Sequence, residues 1–302
     1  MGTQPSDQPL ELAFTKESED ASVNLLVTPP ARQLISILRP YSTAERMPVK
    51  TILITGASSG IGAALARTSA KPGVQLALWG QNAVRLETTA AACRAAGASV
   101  ESTCFDLTDL DQLTDQLEAV DSHHPLDLAI FNAGLGGSLD PAIVTQDRRS
   151  AERMTTVNFT VPVICANLLG GRMAGRGHGR IVLVGSAADS FPLPMAPVYA
   201  GTKAGLALFA DALELRLARY GVGVTLVVPG FVDTPMSQGL TEPKPFLVSA
   251  EAAAAIIARK LDHGAKRIVL PWQFVVIRVI CGLLPRVLVR AVFRLAWRST
   301  SA

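Results

Sequence analysis

From Thr51 onward the chain alternates short runs of β-branched and aliphatic residues with longer stretches whose apolar positions return every three or four residues. A short, nearly continuous apolar run reads as a strand covered on both faces, and the three-to-four spacing as a helix with one buried stripe. Strands are expected at 51–55, 75–79, 99–105, 126–131, 180–184, 223–228 and 267–270, with helices at 61–69, 84–96, 110–122, 151–169, 198–220 and 250–261. This rhythm predicts a doubly wound α/β Rossmann fold, a seven-stranded parallel sheet flanked by helices. In such a fold ligands bind at the carboxyl ends of the strands.

The two ends break the rhythm and divide the chain into 1–46, 47–270 and 271–302. The first segment is polar, acidic and proline-bearing, and is expected to be poorly ordered, with a short docking helix around Leu34–Leu38. It lacks the basic start, apolar run and small-residue cleavage site of a signal peptide, and Met47 reads equally well as a natural beginning. The last segment is apolar, with Arg286, Arg290, Arg294 and Arg298 at four-residue spacing, which places them on one helix face. Two readings stay open: a helix lying in a membrane interface among anionic headgroups, or a helix packed on the domain or a partner subunit. Arg278 and Pro285 interrupt the run, so a clean span of about twenty residues is not expected.

Composition narrows the class. With 49% hydrophobic residues in 302 a large core is available, and the formal charge of +3 is more than accounted for by the arginines after Pro271. The basicity is local, which argues against nucleic acid as a partner. Cys93, Cys104, Cys165 and Cys281 form no CxxC pair, suiting a reducing cytoplasm, and His123, His124, His178 and His263 lack metal-ligand spacing, so no metal is expected.

The candidate chemistry begins where the first strand runs into Thr55-Gly56-Ala57-Ser58-Ser59-Gly60-Ile61-Gly62 and opens a helix. Missing Cβ atoms let this backbone approach a phosphate, which the N–H groups of the helix start can hold. Downstream, Tyr199 and Lys203 stand one helical turn apart, after Ser186. A phenol ordinarily titrates near 10, and a neighbouring ammonium is expected to bring it down toward useful acid–base work. Ser186 can hold the same substrate oxygen by a hydrogen bond.

The TGxxxGxG spacing, Asn132-Ala133-Gly134 after the fourth strand, Asn158, Ser186, the YxxxK pair and Pro229-Gly230 with Thr234 following together resemble the short-chain dehydrogenase/reductase family over about 49–270. The resemblance implies a catalytic tetrad of Asn158, Ser186, Tyr199 and Lys203, with Lys203 also on the cofactor ribose and Asn158 supporting a water. It implies adenine contacts from Asp106 and Leu107, although Asp106 can equally be read as a helix cap before Leu110. Asn132, Ala133 and Gly134 would lie along the adenosine, and Pro229, Gly230, Val232 and Thr234 by the nicotinamide half. Gln81 occupies the position where NAD enzymes place a carboxylate, so NADP is favoured over NAD, although neither Ser59 nor Gln81 supplies a cation and Arg85 is the nearest one.

Substrate contacts are expected from Ser186, Tyr199, Phe231 and Met236, with Leu240, Phe246, Leu247 and the apolar residues between Ser186 and Tyr199 either lining a pocket or closing the core. The function read from the chain is therefore an NAD(P)-dependent oxidoreductase acting on a hydrophobic or lipid-like ketone, cytoplasmic or peripheral on a membrane through 271–302. The resemblance implies a homo-oligomer paired through the helices at 110–122, 151–169 and 198–220. The competing class is a dinucleotide-binding sensor or membrane scaffold without turnover, which would have no need of the proton-relay residues.

Overall fold

The computed structural model describes residues 49–140, 142–240, 243–285, 287–291 and 293–294. The extension before Met47, and with it the helix expected near Leu34, lies outside the described residues, as does the end of the tail from residue 295.

The first half runs β1 (Thr51–Thr55), α1 (Gly60–Ser69), β2 (Gln75–Gly80), α2 (Ala83–Ala95), β3 (Ser99–Cys104), α3 (Leu110–His123) and β4 (Leu128–Phe131). The second half runs α4 (Arg148–Thr155), a π-helical turn (Thr156–Thr160), α5 (Val161–Arg176), β5 (Gly179–Val184), α6 (Pro197–Leu217) and β6 (Val222–Pro229). It continues with β7 (Val232–Asp233), α7 (Pro235–Gln238), β8 (Val248–Ser249), α8 (Ala250–Asp262), β9 (Arg267–Leu270) and α9 (Gln273–Leu283). Seven strands form one parallel sheet in the order β3-β2-β1-β4-β5-β6-β9, and β7 pairs with β8 separately. The order reverses between β1 and β4, and a doubly wound sheet opens its ligand crevice at such a point.

Both faces of the sheet are covered, and the two-residue period of a strand sorts its side chains between them. Leu53 of β1 and Ile181 and Leu183 of β5 join Leu113, Leu117, Cys165, Leu169 and Leu206 under α3, α5 and α6. Ile52, Ile54, Val182 and Val184 turn the other way, onto Leu65, Leu86, Ala253 and Ile257 under α1, α2 and α8. Fully burying a side chain of this size stabilises the fold by about 1.5–3 kcal/mol, so the alternating apolar runs dictate the layering.

Two boundaries moved for physical reasons. The fourth strand starts at Leu128 because the Leu126 N–H is taken by the buried Asp121 carboxylate at 2.9 Å. That carboxylate also receives Arg172 at 2.5 Å and Arg176 at 2.8 Å, tying the end of α3 to α5. The single helix expected at 151–169 is a longer run, 148–176, broken by the π turn. Pro162 has no N–H to give to the carbonyl of Asn158, four residues back, so the α pattern cannot continue there. Instead Val161 N–H reaches the Thr156 carbonyl, the wider π spacing. By length and composition this run can cross a membrane, but half of its apolar window is buried inside the fold, as in a core helix.

Candidate active site

The glycine turn sits at the mouth of β1, and its shape leaves no room for side chains. Gly56 has φ +70°, which L-residues avoid, and a Cβ on Gly62 would lie 2.3 Å from the Gly56 carbonyl oxygen and 2.5 Å from Asn132 Nδ2. Asn132, at the end of β4, braces this turn by donating to the Thr55 carbonyl at 3.1 Å and the Gly56 carbonyl at 3.4 Å. The Thr55 hydroxyl accepts in return from Asn132 N and Ala133 N at 3.1 and 3.0 Å. The two strand ends on either side of the switch point are thereby locked together. Ser59 is the residue before α1 and its side chain makes no capping hydrogen bond, so the helix start keeps its amide donors for an anionic guest. Residues and backbone here fit a dinucleotide pyrophosphate.

The four catalytic candidates converge from three places in the fold: the π turn, the end of β5, and α6, which carries both Tyr199 and Lys203. Asn158, 1% exposed, is carried inward by the π turn, where its side chain clamps the backbone of Leu135, accepting from the N–H at 2.7 Å and donating to the carbonyl at 2.8 Å. Lys203, on α6 and 4% exposed, donates from Nζ to the Val184 carbonyl at 3.0 Å and lies 5.8 Å from the Tyr199 ring centroid. A Cβ on Gly134 would stand 3.3 Å from Asn158 Oδ1 and 3.6 Å from Lys203 Nζ, so that glycine sits between the amide and the ammonium. Ser186, just past β5, accepts from Ala188 N at 3.1 Å and also hydrogen-bonds the Tyr199 phenol.

Their titration departs from the sequence-based expectation. Burial pushes the Tyr199 phenol up, and the Ser186 hydrogen bond offsets only part of this; the phenol is not drawn down. Burial also pushes the Lys203 ammonium from 10.5 down to about 8. The ammonium faces the Val184 carbonyl across a low-dielectric interior, so desolvation, and not mutual attraction, dominates both groups. The phenol therefore holds its proton at neutral pH.

Just past the ends of β2 and β3, Gln81 Nε2 donates to Asp106 Oδ1 at 3.0 Å, and Arg153 from α4 reaches Asp106 Oδ2 at 3.0 Å. Burial raises the Asp106 carboxyl, but hydrogen bonds from Thr108 and Arg153 outweigh it and hold it low. Asp106 is not the cap of α3; Asp109 is, accepting from Gln112 N. Arg153, absent from the sequence reading, is adjacent to the site only through folding. Leu107 points into the core, as does Val232, leaving their backbones for any ligand.

The family model for short chain dehydrogenase matches residues 50–245. The chain belongs to this family. An oxidoreductase of Myxococcus xanthus, itself uncharacterised, is 31% identical over 249 residues, 82% of this chain and 98% of that protein. A short-chain dehydrogenase from Sphingobium yanoikuyae, solved with NADPH, superposes with a TM-score of 0.69 at 29% identity, over 74% of this chain and 88% of its own. A bulky-bulky ketone specific alcohol dehydrogenase from Comamonas testosteroni gives 0.67 at 27%, over 74% and 87%. The protein is an NAD(P)-dependent short-chain dehydrogenase/reductase, an oxidoreductase with a nicotinamide cofactor and a small-molecule substrate.

In this dehydrogenase the loops before α4 and before α6 are joined by Leu139 N–H donating to the Met195 carbonyl at 2.7 Å. Between them lies a cleft of about 460 Å³ lined by Leu139, Ile143, Val144, Pro194, Pro197 and Val198, with the polar Thr145 and Gln146, and its lining ends immediately before Tyr199. The pocket-forming residues Ile143 and Val144 had no motif to mark them. Met236 reaches over to Gly136, where a Cβ would meet its sulfur at 2.8 Å, and Thr234 lies against Gly60 in the same way. Pro229 is buried; Gly230 and Phe231 lie under Phe274 of α9, the Gly230 Cβ position being filled by its ring and the Phe231 ring 6.4 Å away. The tail thus forms part of the wall beyond β6.

Proposed function

We propose that the protein is an NADPH-dependent reductase of hydrophobic, bulky ketones, built as a catalytic body over 47–270, with α9 at the start of the tail 271–302 near its substrate entrance. The observation that carries this reading is the convergence of a protonated Tyr199, Ser186, Lys203 and Asn158 next to a largely apolar cleft whose lining ends at Val198, the residue before Tyr199. A nicotinamide held there would supply the hydride for the carbonyl carbon. Tyr199 supplies the proton to the carbonyl oxygen, a role for which a phenol raised by burial is in the required protonated form at neutral pH. Ser186 hydrogen-bonds the same oxygen as charge develops. Lys203, charged below about 8, contributes positive potential beside the phenolate that remains and binds the ribose hydroxyls. Asn158 fixes the backbone at Leu135 and supports a water on the proton path.

Thr55, Gly56, Ser58, Ser59, Gly60, Ile61 and Gly62 would hold the pyrophosphate, Asp106, Leu107 and Asn132 to Gly134 the adenosine, and Pro229, Gly230, Val232 and Thr234 the nicotinamide half. NADPH is favoured because Gln81 supplies an amide where a carboxylate would repel the phosphate, the neighbouring Asp106 being paired with Arg153, and the Sphingobium relative was solved with that cofactor. Phe231 and Met236 complete the substrate wall, and the Comamonas relative's bulky ketones fit an apolar cleft of this kind. Exposed Leu208 and Leu215 on α6 support a homo-oligomer, and four free cysteines support a reducing cytoplasm, with the enzyme working beside a membrane.

The test is turnover of a panel of aliphatic and aryl ketones with NADPH and NADH, alongside fluorescence titration of each cofactor. Tyr199→Phe should lose about 10²–10⁴ in kcat/KM and keep its NADPH affinity. Absence of NADPH binding by folded protein, or full turnover in Tyr199→Phe, would overturn the reading.

A further inference from the structure

The helix α9 (Gln273–Leu283) is docked with its charged residue inward and its aliphatic residues outward. Toward the body it carries Phe274, which packs over Gly230 with its ring 6.4 Å from Phe231 and 6.2 Å from Phe246. One turn further along the same side, Arg278 pairs with Asp189, whose side chain is 1% exposed. On the opposite side Trp272, Val275, Val276, Val279, Ile280 and Leu283 recur at intervals of three and four residues and are 43–81% exposed. A helix on the surface of a protein surrounded by water presents the reverse arrangement. Exposed Leu284, Val287 and Leu288 extend the stripe into a second helical stretch that also carries exposed Arg290 and Arg294. That stretch is held to the body by Phe293, 5.5 Å from Phe191 in the loop between Ser186 and Tyr199.

We infer that this outward stripe is a lipid-facing surface, inserted side-on into the interface of an anionic bilayer. Charge selects the occupant. Beyond Arg278, which is paired inward, the chain to its end holds four more arginines, and from Pro271 on no Asp or Glu, so headgroup phosphates are complementary to it. A second copy packed isologously on the same stripe would bring arginines against arginines. Trp272 flanks the stripe, and its ring, apolar with one N–H, suits the headgroup level. At about 1.5 Å per residue α9 covers roughly 16 Å, half the hydrocarbon thickness, so the helix lies in the interface and does not span it. The Asp189–Arg278 pair and the Phe274 packing hold the stripe outward beside the substrate cleft, where an amphiphilic substrate would arrive from the lipid. The surface requires nothing of the reductase chemistry.

The experiment is flotation of the full-length protein with vesicles of phosphatidylcholine alone and of phosphatidylcholine with phosphatidylglycerol, while light scattering follows its mass without lipid. The protein should float with the anionic vesicles and much less with the neutral ones. Arg290→Glu/Arg294→Glu should weaken binding by at least roughly 25-fold, about fivefold for each arginine removed near an anionic surface. Val276→Glu/Ile280→Glu, at exposed positions the fold does not need, should abolish flotation; Val84→Glu, at a still more exposed apolar site on α2, should leave it unchanged. Reduction of a water-soluble ketone by Val276→Glu/Ile280→Glu reads the catalytic proposal separately. No flotation of the wild type, retained flotation in Val276→Glu/Ile280→Glu, or a wild-type oligomer that this variant dissociates without lipid would overturn the inference, the last assigning the stripe to a second copy.

Discussion

Replacing Lys203 by methionine should make the protein harder to unfold and far less active. The ammonium is 4% exposed and hydrogen-bonded to the Val184 carbonyl at 3.0 Å. Burial lowers its pKa from 10.5 to about 8, a difference that corresponds to about 3 kcal/mol held against the charged native state. Methionine fills nearly the same volume without charge but forfeits the hydrogen bond, worth about 1 kcal/mol. The net gain is about 2 kcal/mol at neutral pH, or roughly 4–8 °C in Tm for a domain of this size. The pH dependence distinguishes this cause from a packing effect. Below about 8 lysine is charged in both the native and the unfolded protein, and the cost is complete. Between about 8 and 10.5 the native protein releases a proton that the unfolded chain keeps, so the wild type gains stability as pH rises and the advantage of the variant shrinks. Urea unfolding of both proteins across this window, monitored by circular dichroism, measures the gap. A Lys203→Met protein less stable than wild type at neutral pH, or a gap constant through the window, refutes the reasoning. Ketone reduction in the same variant should fall by about 10²–10⁴.

Three further substitutions test the turn and the frame. Gly62→Ala forces a methyl to within 2.3 Å of the Gly56 oxygen, so the turn must open; NADPH titration should show affinity down by roughly 100-fold and thermal melts a loss of about 1–3 kcal/mol. Gly171→Ala on α5, where a Cβ meets nothing, should instead stabilise by about 0.5–1 kcal/mol with unchanged NADPH binding. Asp121→Asn strands the two arginines that the buried carboxylate receives and should cost about 3 kcal/mol, the low end for a broken buried pair because Arg172 and Arg176 reach solvent. Burial raises the Asp121 carboxyl, but Arg176, Leu126 and Arg172 more than reverse this. The wild type therefore keeps this stability above the ordinary carboxylate value and loses it as pH falls further, and the deficit of Asp121→Asn in urea unfolding should narrow under acid.

Much of this protein is written in local patterns. The alternation of apolar runs with helical periodicity determined the seven strands and their layering, since each element must bury its own apolar face whatever its neighbours are. The glycine turn and the Ser186, Tyr199 and Lys203 spacing were legible for the same reason: backbone clearance and one helical turn are short-range geometry. The tertiary structure decided what depends on partners distant in sequence. Whether Tyr199 is raised or lowered turned on burial, which no spacing reveals, and Asn158 reaches the site through a π turn at Pro162 that helical periodicity does not record. Arg153 on Asp106 and Arg278 on Asp189 join residues 47 and 89 positions apart. The arginine stripe marked the tail as unusual from the start, but only the fold showed Arg278 turned inward to a buried carboxylate and the aliphatic side turned out. A helix chooses its buried face by what the domain offers it, and here the domain offers a charge.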